Sequence, residues 1–363
     1  MAVSRINEAG LNVNQYGNRN LIINGAMRVA QRGTSATVSD GSNEGYSTID
    51  RFYLNFNAGV GGGIDFSQSS DAPSGFANSL KLQCSTTNTS FSTTDAVNLE
   101  YRPEAQDLQV LDYGTSDAKQ MTISWYMKAA TFTGPITLAL ETRDGTSEFY
   151  VKSYTPTTSW ARYTCTVPGS TSATINDDSG QGMFLKFVIA GFSSGTYAKS
   201  ADSTAWSTTR ADYRNDIGNF TSSTSNQLFI TGLQMEVGDT ATDFEHRTFG
   251  DELQRCQRYC FVTPTGQTYS WTALSGYCNS TSNALTFYQF PVVMRAAPTL
   301  ATSGSFEVAD GHSTYNITSQ SIADPTRYAA RVDIAASGLT VGRVAMVRNK
   351  NDATAKITFD SEL

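Results

Sequence analysis

The chain has 363 residues and a formal charge of −7, and only 16% of its residues are charged, while Ser and Thr make up about a quarter. Its 19 Phe and 17 Tyr exclude a disordered chain, and the lack of Ala, Glu, Lys and Leu dominance excludes a coiled coil or helical bundle. No run approaches the roughly 18 apolar residues of a membrane-spanning helix, and the scattered Lys and Arg give little support to nucleic-acid binding.

Residues 1–19 are polar, with Gly10 and Gly17, and read as an extended arm without the apolar stretch of a secretory leader. Asn20-Leu21-Ile22-Ile23-Asn24-Gly25 reads as a strand closed by an Asn-Gly turn. Short alternating strands then recur to about residue 245. They include Phe52–Phe56, Ser79–Cys84, Met121–Lys128, Ile136–Glu141, Phe149–Lys152, Trp160–Val167, the nearly all-apolar Met183–Ile189, and Gln227–Val237, with Phe229 and Leu233 expected to point inward. Strands at this spacing predict a jelly-roll β-sandwich. The long polar stretch 193–226 reads as a functional or mobile loop.

Thr248–Phe261 is the one good helical stretch, with Leu253, Cys256 and Cys260 on one face and Glu252 early and Arg255 and Arg258 late, as the helix dipole favours. Beyond it, Leu285–Phe290, Tyr328–Ile334, Gly342–Val347 and Ala355–Phe359 are strand candidates, while Pro291 and Pro298 mark an edge or a connection. The expected fold is all-β: a jelly roll over 20–247, then a short linking helix and a smaller C-terminal β-sandwich over 248–363.

No catalytic set emerges. The two histidines, His246 and His312, lie in no ligand or triad pattern, there is no G-x-S-x-G elbow, and no carboxylate pair is singled out for glycoside hydrolysis. The glycine run 59–63 lacks the Lys and the following helix of a phosphate loop. Cys84, Cys165, Cys256, Cys260 and Cys278 form neither a disulfide framework nor a zinc set, and read as buried reduced thiols of a protein made in a cytoplasm. No cofactor is expected. A structural calcium ion has oxygen ligands available at Asp50, Asp177, Asp178, Asp239 and Asp243, but their spacing assigns it no place. The glycan-binding candidates are aromatics on polar loops: Tyr197, Trp206 and Tyr213 in the long stretch, and Tyr269 and Trp271 near the start of the C-terminal domain. The competing reading has these rings plugging the sandwich cores.

Three segments together resemble virion proteins of tailed bacteriophages, in particular tail-fibre and related appendage proteins. They are NLIINGAMRVAQRGTS (20–35) with YSTIDRF (46–52), ITGLQMEVGDTATDFEHRTFGDELQRCQRYC (230–260), and FPVVMRAAPT (290–299) with the closing ITFDSEL (357–363). The resemblance implies a jelly roll similar to carbohydrate-binding modules, assembly as a homotrimer, and a place on the virion exterior after synthesis in the host cytoplasm. It also implies attachment to other virion proteins through the N-terminal arm, where Arg5, Ile6, Leu11, Val13 and Tyr16 are the anchoring candidates, with the distal domains facing a host surface glycan. The chain departs from long fibres in having no β-helical shaft or triple-coiled segment. A short fibre or spike is therefore expected, without enzyme activity and without membrane insertion. The alternatives are a head or tail decoration or adaptor protein with purely structural contacts, and a glycan depolymerase.

Overall fold

A computed structural model describes residues 18–363 except 41–43, 58–59, 265 and 274. The anchoring candidates Arg5, Ile6, Leu11, Val13 and Tyr16 lie outside the described residues. Two compact units are present, one formed by the residues up to Arg28 with Ser35–Arg247, the other by Val29–Thr34 with Thr248–Leu363.

The first unit carries β1 (Ser35–Ser39), β2 (Phe52–Phe56), β3 (Gly63–Ser69), β4 (Ser79–Thr86), β5 (Ala96–Tyr101), β6 (Met121–Ala130), β7 (Ile136–Thr142), β8 (Phe149–Tyr154), β9 (Ala161–Val167), β10 (Met183–Gly191), β11 (Ala198–Lys199), β12 (Tyr213–Arg214) and β13 (Gln227–Val237). A six-stranded sheet, β1-β3-β4-β13-β6-β9, and a five-stranded sheet, β2-β5-β10-β7-β8, supply the inward side chains of one shared core. Every pairing within both is antiparallel. Strand alternation does the sorting: in β6, Met121, Ile123, Trp125, Met127 and Ala129 all enter the core. The Trp125 indole lies 5.3 Å from the Phe187 ring of the opposite sheet and 4.9 Å from that of Tyr154.

Three details differ from the sequence reading. The run Asn20–Gly25 is not a strand. It is an irregular segment: the Leu21 amide donates to the Met235 carbonyl and the Leu233 amide to the Gly25 carbonyl, but side chains take much of the rest. The Asn20 Oδ1 accepts from the amides of Ile22 (2.9 Å) and Met235 (3.0 Å), the Tyr101 hydroxyl accepts from the Ile23 amide at 2.9 Å, and the Arg247 guanidinium donates to the Ile22 carbonyl at 2.9 Å. Phe229 does not point into the sandwich; Leu228 and Ile230 do. Its ring lies on the outer face beneath the Lys128 ammonium (4.9 Å) and beside Trp160. Gly232, at φ 61°, then interrupts the register between Thr231 and Gln234, and Leu233 and Met235 return to the core. Finally, Val29–Thr34 belongs with the second unit. There Arg32 pairs with Asp360 at 2.6 Å, and the Gln31 amide donates to the Cys260 carbonyl at 2.7 Å.

The second unit holds α1 (Phe249–Gln257), β14 (Cys260–Val262), β15 (Trp271–Ala273), β16 (Gly276–Cys278), β17 (Asn283–Gln289), β18 (Thr299–Ser303), β19 (Phe306–Ala309), β20 (Thr314–Ala323), β21 (Ala329–Ala336), β22 (Met346–Asn349) and β23 (Lys356–Asp360). The helix starts where Thr248 caps it, its hydroxyl accepting from the Asp251 amide at 3.2 Å. A three-stranded sheet, β14-β23-β18, and a seven-stranded sheet, β15-β22-β19-β20-β21-β17-β16, enclose a second core around Val332, Ile334, Val347, Ile357 and Phe359. The fold is thus all-β, with antiparallel sheets in both units.

All five cysteines are buried and unbridged. Burial pushes the Cys84, Cys165 and Cys278 thiols above their ordinary range, which suppresses the reactive thiolate. A colorimetric disulfide reagent at neutral pH is expected to label none of the five rapidly in the native protein and all five in denaturant. Fast labelling of any of them before unfolding contradicts this packing.

Candidate functional site

The outer face of the five-stranded sheet is the most built polar surface of the first unit. Its strands bury Phe52, Leu54, Val97, Leu99, Leu185 and Phe187 inward, so the intervening residues must face the other way. The register places Tyr53 opposite Glu100, Asn55 opposite Asn98, Lys186 opposite Glu100 and Phe184 opposite Glu141. All of these but Tyr53, with Arg102, Arg143, Arg210 and Asp212 around them, line a depression of about 230 Å³.

Glu100 is its anchor. It is 2% exposed. One carboxylate oxygen accepts from the Asn55 amide at 3.1 Å, and the other accepts from Arg102 Nη2 at 2.7 Å and Nε at 3.1 Å. So held, the Arg102 guanidinium lies 4.0 Å from the centre of the Tyr53 ring and 5.1 Å from that of Phe184. Phe184 is further flanked by the Lys186 ammonium at 4.3 Å and the Arg143 guanidinium at 4.9 Å. Glu141 joins those two cations, accepting from Lys186 at 2.8 Å and from Arg143 at 2.5 Å. Burial raises the Glu141 carboxyl, but Lys186 and then Arg143 outweigh it, and its pKa lies below the ordinary value. Arg210 closes the rim, paired with Asp212 at 2.9 Å and set 3.9 Å above the Tyr197 ring. One group in the depression is left over. Asn98 is 4% exposed, and its side-chain amide hydrogen-bonds to no protein group among the described residues. Its amide lines the depression, with Glu100 and Lys186 between it and the Phe184 ring.

No protein-family model matches the sequence, and no curated protein matches it. Solved structures similar to it include the enzymatically active domain of tailspike protein 4 of bacteriophage CBA120 (10% identity, TM-score 0.32, 61% of this chain and 22% of that one). They also include a family 11 carbohydrate-binding module of a Clostridium thermocellum cellulosomal cellulase (13% identity, TM-score 0.30, 57% of this chain and 99% of that one). A third is a xylan-binding domain from Paenibacillus barcinonensis (10% identity, TM-score 0.28, 59% of this chain and 100% of that one). The matched part spans about a fifth of the tailspike chain. Likeness at this level says nothing of what this chain binds, which must be argued from its own side chains.

The aromatics selected from the sequence fall into four environments. Tyr213 is 1% exposed, in a satellite cluster with Phe149, Val151 and Val188, so it has no free ring face. Trp206 is half-buried against the main core, and its indole N–H donates to the Pro168 carbonyl at 2.7 Å. It plugs the sandwich, because a ring this large gains more from packing between Tyr113 and Tyr150 than from lying in water. Tyr197 sits at the rim of the depression through Arg210. Tyr269 and Trp271 are exposed on the second unit, at 47% and 41%. The long stretch 193–226 is not structureless: it contains β11 and β12, which pair in parallel, and a single 3₁₀ turn at Phe220–Ser222.

Among the described residues no three His, Cys, Asp or Glu side chains converge as a metal site, so the acids offered for calcium are not gathered. Among those residues, too, no helix is long and apolar enough to cross a membrane.

Sequence reasoning missed Asn98, Glu100, Arg102, Phe184 and Lys186. The signal was present as alternation, in Val97-Asn98-Leu99-Glu100-Tyr101 and Phe184-Leu185-Lys186-Phe187. The second run was read only as an apolar central strand, although its outward positions carry the site.

Proposed function

We propose that the first unit binds a glycan on the outer face of its five-stranded sheet, and that the chain is a non-enzymatic structural protein of a tailed-bacteriophage virion. In this reading it is a short fibre or spike on the particle exterior, a homotrimer attached through residues 1–19, with the sheet face turned to a host surface polysaccharide. The virion part rests on the three sequence segments that resemble appendage proteins. In the first unit, two of them meet: the Glu245 carboxylate of the second accepts from the Asn20 amide of the first at 2.7 Å, and Arg247 grips the Asn20 and Ile22 carbonyls. The resembling residues thus share one partly buried join within the first unit.

The observation that carries glycan binding is the unpartnered Asn98 amide in the same depression as the Phe184 ring. An amide suits sugar hydroxyls, which both donate and accept, and an aromatic ring suits the apolar face of a pyranose. Guanidinium and ammonium donors fixed by carboxylates add directional contacts without reorganisation. The same ion pairs argue against hydrolysis. A glycosidase needs one carboxyl kept protonated by a raised pKa, whereas Glu100 is ion-paired and Glu141 is held below its ordinary value.

The test is an array of bacterial surface polysaccharides probed with the full chain and with Asn98→Ala and Phe184→Ala. The wild type is expected to retain at least one glycan, each variant to bind it roughly tenfold more weakly, and no reducing ends to appear on incubation. Absence of any retained glycan, retention unchanged in both variants, or steady release of reducing ends overturns the reading.

A further inference from the structure

The second unit carries a surface that the depression of the first does not explain. Across the seven-stranded sheet, the register sets Trp271 of β15 opposite Arg348 of β22, Arg348 opposite Glu307 of β19, and Glu307 opposite Asn316 of β20. Directly opposed residues share a face, so these four side chains form one row across four strands. At about 4.8 Å per strand the row spans roughly 14 Å, about the length of three sugar rings.

One end of the row is aromatic. The Arg348 guanidinium lies 5.0 Å from the Tyr269 ring centre and 5.1 Å from that of Trp271, and Glu307 holds it at 2.6 Å. Both rings are nevertheless more than two-fifths exposed. Their loop is fixed from below by Asn349, which is fully buried. Its Oδ1 accepts from the Ser270 amide at 2.8 Å and its Nδ2 donates to the Gln267 carbonyl at 2.7 Å. Tyr269 itself sits in the left-handed region at φ 57°, a conformation that a bulky residue keeps only where its surroundings impose it. The rings are therefore presented on a rigid support, which lowers the entropy cost of binding.

The other end is polar and cationic. Lys350, two residues beyond Arg348, donates to the Asn316 Oδ1 at 2.6 Å and pairs with no carboxylate among the described residues. It borders a depression of about 320 Å³ with Ser305, Asn316, Thr318 and Gln320. Gln320 does not share the face of the row: a bulge in β20 after Ile317 sets it opposite the core residue Ile334. An ammonium with no carboxylate partner selects for negative charge.

We infer that this face is a second glycan site, and that it takes a carboxylate-bearing oligosaccharide. The sugar rings stack on Trp271 and Tyr269, and the carboxylate lies against Lys350. A nucleic acid fits less well, because one unpaired cation on an acidic chain neutralises few phosphates. The inference does not depend on the first-unit depression.

The test uses the full chain in calorimetric titrations with tetragalacturonate, tetramannuronate and a sialyllactose, each beside its carboxyl-reduced form. At least one acidic sugar is expected to bind, and its reduced form to bind about tenfold more weakly. Trp271→Ala is expected to weaken the acidic sugar tenfold or more. Lys350→Gln, which keeps a hydrogen-bond donor but removes the charge, is expected to remove the preference for the acidic form. Asn98→Ala, in the other unit, is expected to leave these values unchanged, which separates failure here from failure of the first-unit site. Binding of none of the three acidic sugars, equal affinity for acidic and reduced forms, indifference to Trp271→Ala, or equal binding of poly-glutamate overturns the inference.

Discussion

Arg102→Met is expected to destabilise the first unit by about 3–5 kcal/mol, more than a surface ion pair is worth. The reason is Glu100. Its side chain is 2% exposed, and Arg102 supplies two of the three hydrogen bonds to its carboxylate. Methionine keeps the stem and removes the charge, leaving a buried carboxylate with only the Asn55 amide. Adding Glu100→Gln to Arg102→Met removes the stranded charge, and this double variant is expected to recover most of the loss. Equilibrium unfolding followed by tryptophan fluorescence measures this, since Trp125, Trp160 and Trp206 lie in the first unit and only Trp271 in the second. An Arg102→Met variant within about 0.5 kcal/mol of wild type, or a double variant no better than the single, contradicts the role given to Glu100.

Trp125→Ala is expected to cost a similar amount, about 3–5 kcal/mol, through the cavity left at the centre of the sandwich. This ring touches both sheets: Phe187 and Tyr154 come from the five-stranded sheet and Tyr163 from its own. Trp125→Phe separates packing from polarity. The indole N–H is buried with no hydrogen-bond partner among the described residues, so phenylalanine removes an unsatisfied donor along with part of the ring. Its cost is expected to be about 1 kcal/mol. A phenylalanine variant as unstable as the alanine one contradicts the placement of this ring.

Much of the fold was legible because period-2 alternation has a direct physical cause. Residues such as Phe52, Leu54 and Phe56 have one buried face to occupy, and the chain shows it. The misreadings share a different cause. Asn20–Gly25 looks like a strand because Leu21, Ile22 and Ile23 are apolar, yet the Ile22 and Ile23 amides are taken by the Asn20 side chain and the Tyr101 hydroxyl. No local pattern encodes a partner 78 residues away. Phe229 failed for a related reason: Gly232 inserts a bulge that shifts the phase of β13, so one alternation cannot place both Phe229 and Leu233. β20 escaped notice because its exposed positions are Thr, Asn and Ser, which resemble a loop by composition.

The site was less legible than the fold. Loop aromatics are conspicuous in sequence, but Tyr213 and Trp206 turned out to pack rather than present. The side chains of the depression lie on strands, where Asn98 and Glu100 look like ordinary outward polar residues. What makes them a site is cross-strand register, which sets Glu100 between Tyr53 and Lys186 from segments about 50 and 85 residues away. Arg348 and Asn349 of the second unit escaped for the same reason, since their meaning depends on Trp271 and Ser270, far back in the chain.

The most direct test of the central claim is a crystal structure of the full chain with an oligosaccharide selected by the polysaccharide array. The account predicts sugar density on the outer face of the five-stranded sheet, with a ring against Phe184 and a hydroxyl within hydrogen-bond distance of the Asn98 amide. An oligosaccharide bound to the first unit anywhere other than this face, with Asn98 and Phe184 bare, contradicts it.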